Sequence, residues 1–135
     1  MLARREHSRI ELYNKLVNKG FDESDVAVLI QTLIDERLQS DARFAESFVR
    51  SRINAGKGPI LIRAELNQHQ IEQSLIQQAW AENAPDWFEL ARAARLKRFG
   101  EAPTDDFTIR AKQSRFLQRR GFDSEHIRYA LSQPV

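Results

Sequence analysis

The chain has 135 residues, 30% charged and 41% hydrophobic, with 21 Lys/Arg against 19 Asp/Glu and no cysteine. That composition describes a folded chain of ordinary domain size, not a disordered one, and the lack of cysteine excludes a disulfide scaffold and thiolate metal sites. No apolar run approaches the roughly 18 residues of a membrane span, and the charged start Met1–His7 has no signal-peptide core, so a cytoplasmic protein is expected.

Charge is unevenly spread. Residues 1–50 hold eight Lys/Arg against nine Asp/Glu, residues 51–85 three against three, and residues 86–135 ten against seven, which leaves the last third at +3. Such an excess is compatible with nucleic acid or an acidic protein surface and requires neither.

Apolar residues recur at helical intervals and no sustained period-2 alternation appears, so the expected fold is all-α. A first helix spans Ser8–Lys19 and is closed by Gly20. Asp22 or Ser24 caps a second, with Val26, Leu29, Ile30, Leu33 and Ile34 on one broad face. Ser40 and Asp41 open a third, Phe44, Phe48 and Val49 inward, Arg43 and Arg50 outward. Gly56-Lys57-Gly58-Pro59 is a turn, with Pro59 suited to the first helical position. Helices follow over Ile60–His69 and Ile71–Glu82, then from Pro85-Asp86 to Phe99. Gly100-Glu101-Ala102-Pro103 is a loop. Asp105 or Asp106 begins a helix to Arg120, and Asp123 or Ser124 begins the last, ending near Ser132.

One apolar template occurs three times, about fifty residues apart. Leu16, Gly20, Phe21, Val26 and Ile30 are matched in spacing by Leu117, Gly121, Phe122, Ile127 and Leu131. The middle copy keeps Leu66, Ile71, Ile76 and Trp80, with Gln70 in place of glycine. Self-similarity at a fixed period marks a repeat array, here an elongated tandem array of three-helix, helix-turn-helix-like units over 1–38, 39–84 and 85–135. The helices group as two, three and three. Leu2–Glu6 reads as the tail of another helix, so the first repeat is expected to be incomplete, with upstream residues missing; the other reading is a first unit that is simply short.

The template is close to the helix-turn-helix of DNA readers. Yet each second helix begins with carboxylates, at Asp22-Glu23, Glu72 and Asp123, which complement the helix dipole but would meet phosphate with like charge. Capping and helix-pair packing is the favoured reading. The best basic surface is the helix from Asp106 to Arg120: Ile109, Phe116 and Leu117 mark its buried side, and Lys112, Arg115 and Arg119 cluster opposite. On the preceding helix Arg92, Arg95, Lys97 and Arg98 extend the stripe in part. Lys112, Arg115, Arg119, Arg92, Arg95, Arg43 and Arg50 are the candidate partner- or nucleic-acid-binding residues; an ordinary solvated face is the alternative. Trp80 and Trp87 read as core residues. Gly56-Lys57-Gly58 lacks the strand and the GK[ST] of a P-loop. His7, His69 and His126 have no ligand spacing. No catalytic pair is legible, and no cofactor, metal, membrane or small-molecule substrate is implied.

The strings Ala3-Arg4-Arg5-Glu6-His7-Ser8, Asp41-Ala42-Arg43-Phe44-Ala45, Gly58-Pro59, Ile62-Arg63-Ala64-Glu65-Leu66 and Arg115-Phe116-Leu117-Gln118-Arg119-Arg120-Gly121-Phe122 together resemble the bacterial RecX family over essentially the whole chain. Gln70-Ile71 departs from the family's usual Gly-Ile, which touches the local turn, and the opening helix is incomplete. The resemblance implies a non-enzymatic regulator that binds the RecA–DNA filament and inhibits filament growth, strand exchange, ATPase and coprotease activities of RecA. It places the chain in DNA repair, recombination and the SOS response, with RecA as partner and single- or double-stranded DNA in or beside the filament. The other reading is a helix-turn-helix regulator acting directly on duplex DNA.

Overall fold

The computed structural model describes residues 5–100 and 105–132, and within them the chain is all-helical, with eight helices and no strand. The helices are α1 Arg9–Asn18, α2 Glu23–Asp35, α3 Asp41–Asn54, α4 Pro59–Gln68, α5 Gln73–Asn83, α6 Trp87–Phe99, α7 Phe107–Arg119 and α8 Ser124–Ser132. Residues 2–4 of the expected helix tail and 101–103 of the expected loop lie outside the described residues. Arg5 and Glu6 are not helical.

Short side chains that compete for backbone N–H groups set the helix starts. Ser8 forms a reciprocal capping box with Glu11, whose N–H reaches Ser8 Oγ at 3.2 Å. Asp22, Asp86 and Asp106 cap α2, α6 and α7. The three template copies share one turn. The N–H groups of Phe21, Ile71 and Phe122 donate to the carbonyls of Leu16, Leu66 and Leu117 at 3.3, 3.2 and 3.2 Å. The residue before each has positive φ: Gly20 at 97°, Gln70 at 55° and Gly121 at 100°. This is the left-handed helix ending that glycine reaches most cheaply. Gln70 adopts it without being glycine. Because Ile71 is used in that turn, α5 starts at Gln73 rather than at Ile71 as the apolar spacing suggests.

Contacts divide the chain into two compact units: Met1–Val49 with Glu65–Asn83, and Arg50–Ala64 with Ala84–Val135. In the first, Leu12, Val26 and Ile30 form a core with Leu16, Leu33 and Ile34 packed on it. Leu29 departs from the expected broad apolar face of α2 and is exposed. Buried Ser8 meets His69, Oγ to Nδ1 3.0 Å, and the His69 ring stands 4.8 Å from that of Phe44. In the second unit, Ala91 of α6, Leu117 of α7 and Phe122, Ile127 and Ala130 at α8 form the core, with Trp87 packed against it.

The repeat pegs are not equally buried. Phe122 is 1% exposed, whereas Phe21, its counterpart, is 59% exposed. Phe122 has α6 before its helix pair to supply Ala91. Among the described residues no helix precedes α1, so nothing equivalent covers Phe21.

Candidate partner-binding surfaces

α7 presents Lys112, Arg115 and Arg119 to solvent, while Gln113 and Leu117 on its other side are buried. The cations therefore share one outward face, as the 3.6-residue period dictates. Phe116 is half-buried against the core, but Ile109 is 46% exposed and does not mark a buried side. It lies on the line of Gln113 and Leu117, yet the opening turn of α7 runs past the packed region. Phe107 is exposed there too.

α6 separates the cations that sequence reasoning grouped. Lys97 and Arg98 are exposed, and Arg92 is half-buried with its Nη1 3.7 Å from Glu89 Oε2. Arg95 is 2% exposed, so it belongs to the interior and not to a contact surface. It lies one turn beyond core residue Ala91 on the same face of α6. Its Nε and Nη2 have no hydrogen-bond partner among the described residues, and burial, with Arg92 and Arg110 nearby, pushes its pKa below the ordinary arginine value. In the first unit Arg43 is exposed and its Nε meets Glu6 Oε2 at 3.1 Å. Arg50, in the second, is exposed.

Sequence reasoning missed a cleft of about 490 Å³ in the second unit, between the end of α3, α6 and the C-terminal part of α7. It is lined by the exposed Lys97 and Arg98, by Arg120, and by the half-buried Leu90, Ala94 and Phe116. The Arg120 guanidinium stands 5.1 Å from the Phe116 ring centroid and donates to the Ala55 carbonyl at 3.2 Å.

Among the described residues no three His, Asp or Glu side chains converge to hold a metal ion, and no helix is long and apolar enough to cross a membrane. The N-caps of the second helices are engaged in backbone capping: Asp22 accepts from the Ser24 N–H at 2.9 Å and Asp123 from the His126 N–H at 3.0 Å.

Models of the first, second and third three-helix domains of RecX match residues 1–33, 40–79 and 84–131. A regulatory protein RecX of Chromohalobacter salexigens is 48% identical over 132 residues, which are 98% of this chain and 86% of that protein. The chain belongs to the RecX family. A regulatory protein RecX of Vibrio campbellii is 44% identical over 132 residues, 98% of this chain and 85% of that one. A crystal structure of regulatory protein RecX aligns with a TM-score of 0.80 at 28% identity, covering 98% of this chain and 66% of that chain. RecX from Lactobacillus salivarius aligns at 0.74 and 25% identity, covering 96% and 86%. In RecX terms, α6–α8 fall in the third three-helix domain, and the match to the first contains α1 and most of α2.

Proposed function

We propose that this RecX-family chain is a non-enzymatic, cytoplasmic regulator that binds the RecA–DNA filament and inhibits its growth, strand exchange, ATPase and coprotease activities. Through RecA it acts on DNA repair, recombination and the SOS response, using repeats 1–38, 39–84 and 85–135. The observation that carries this reading is the near full-length likeness to proteins described as regulatory protein RecX, at up to 48% identity. The outward face of Lys112, Arg115 and Arg119 supports it physically. A row of cations steers a protein towards a nucleoprotein rich in phosphate and carboxylate and gives binding that weakens with salt. Direct reading of duplex DNA by the second helices is disfavoured, because Asp22 and Asp123 are spent on capping and place carboxylates where phosphates would lie.

Co-sedimentation with RecA on single-stranded DNA across a salt series tests the proposal. The parent should co-sediment, and a variant with Lys112, Arg115 and Arg119 changed to glutamate should bind more weakly with a shallower salt slope. Failure of the folded parent to co-sediment, or sequence-specific protection of a naked duplex, would overturn it.

A further inference from the structure

The cleft beneath Arg120 has a composition that specifies what it can hold. Among the described residues three cations line it and no carboxylate does, so their positive charge lies uncompensated there beside apolar side chains. The contact from Arg120 to the Ala55 carbonyl fixes the guanidinium at the rim without neutralising it, since a carbonyl carries no net charge. Ala93 and Ala94 are small, and their place in the α6 wall leaves room for a bulky side chain from outside. At about 490 Å³ the space is within the range of side-chain and small-ligand pockets.

We propose that this cleft docks an acidic segment of a partner protein, with one bulky apolar side chain on Leu90, Ala93 and Ala94 and flanking carboxylates on Lys97, Arg98 and Arg120. A nucleic-acid strand fits less well. Sequence-independent strand binding gains most from bases stacked on open aromatic faces. Here the aromatic among the described lining residues is already engaged: Arg120 stands over Phe116, and the Phe99 ring meets it edge-on at 5.3 Å. A strand would gain phosphate contacts alone, whereas an acidic segment with an apolar anchor gains both charge pairing and burial. The inference rests on the regulatory reading only in taking the occupant to be a protein; the assay below contains no RecA, so either can fail alone.

The probe is a fluorescein-labelled short peptide of aspartates and glutamates around a central tryptophan. Its companions have alanine at the centre or lysines for the acids, and a labelled oligothymidylate is the nucleic-acid comparison. Anisotropy titrations of the parent protein should show saturable, salt-sensitive binding of the acidic tryptophan peptide. Amide NMR shifts should centre on Ala93, Ala94, Lys97 and Arg98. The alanine-centred peptide should bind several-fold more weakly, and the lysine peptide should not bind. Ala93→Trp, which fills the cleft from an exposed position, and the Lys97→Gln/Arg98→Gln double variant should each weaken binding by about tenfold, with unchanged circular dichroism. If Ala93→Trp perturbs the fold, the double variant of exposed residues and the parent's shift map decide. Absence of saturable peptide binding would overturn the proposal. So would binding insensitive to these variants, or cleft-centred shifts with oligothymidylate but not with peptide.

Discussion

Gly58 and Gly121 lie backbone against backbone: a Cβ on Gly58 would stand 2.5 Å from the Gly121 carbonyl carbon, and one on Gly121 would stand 2.4 Å from Leu61 Cβ. Two hydrogen bonds lock the pair, from the Gly58 N–H to the Arg120 carbonyl at 2.7 Å and from the Ile60 N–H to the Gly121 carbonyl at 2.9 Å. The turn before α4 and the turn before α8 are thereby joined. Gly58→Ala should destabilise the protein by about 1–3 kcal/mol through overpacking against backbone that cannot yield. Gly121→Ala should cost at least as much, since its φ of 100° adds strain to the clash. Gly20→Ala is the control: it has the same φ sign but nothing within 4 Å, so only the conformational cost of about 1 kcal/mol is expected. Urea denaturation of the three variants gives the order.

Gln70 should be improvable. It holds φ 55° in the turn where the other two copies have glycine, and it is exposed. Gln70→Gly relieves a left-handed conformation costing about 1 kcal/mol but gives an unfolded chain with more freedom. The net should be a gain of up to about 1 kcal/mol, read as a higher melting temperature. A fall would mean that the Gln70 side chain contributes more than its backbone costs.

Arg95 is a buried cation among cations. Removing one partner of a buried pair is costly, but replacing an unpaired buried charge by an apolar group of similar volume is often neutral or favourable. Arg95→Met should therefore preserve or raise stability, by up to about 3 kcal/mol in denaturant titrations. A loss beyond about 1 kcal/mol would show that the guanidinium makes interactions in solution that the fold does not display.

His7 makes the first unit sensitive to acid. Burial, reinforced by the nearby Arg5 guanidinium, holds its pKa below the ordinary 6.5, and its buried Nδ1 has no hydrogen-bond partner among the described residues. The unfolded chain takes up the proton first as pH falls. The stability contributed by neutral His7 is thus fully present above 6.5 and is lost as pH drops from there through the lowered folded value. Melting temperature should fall as pH drops below about 6.5, and His7→Leu should flatten that slope. Equal slopes in parent and variant would assign the pH dependence elsewhere.

The parts of this fold that could be read in advance are those fixed by local chemistry. Gly20 and Gly121 announce left-handed helix ends, Asp22, Asp86 and Asp106 announce helix starts, and the peg spacing survives in the middle copy despite Gln70. The parts that could not are set by where a neighbouring element stops. Periodicity places Ile109 on the line of Leu117 but does not say that packing ends before it. The same limit hides the exposure of Leu29 and Phe21. Residue type suggested that Arg95 faces water; its position one turn beyond Ala91 decides otherwise. Of the candidate site, Lys112, Arg115 and Arg119 were legible as one face because they share one helix. The cleft was not, because Arg120 meets Ala55 across 65 positions of sequence.

The most direct test is titration of the folded protein into ATP hydrolysis by RecA on single-stranded DNA. A progressive, saturable fall in the RecA rate is expected, with no hydrolysis by this protein alone and a weaker effect from the variant carrying glutamate at 112, 115 and 119. An unchanged RecA rate across a wide molar excess of folded protein would contradict it.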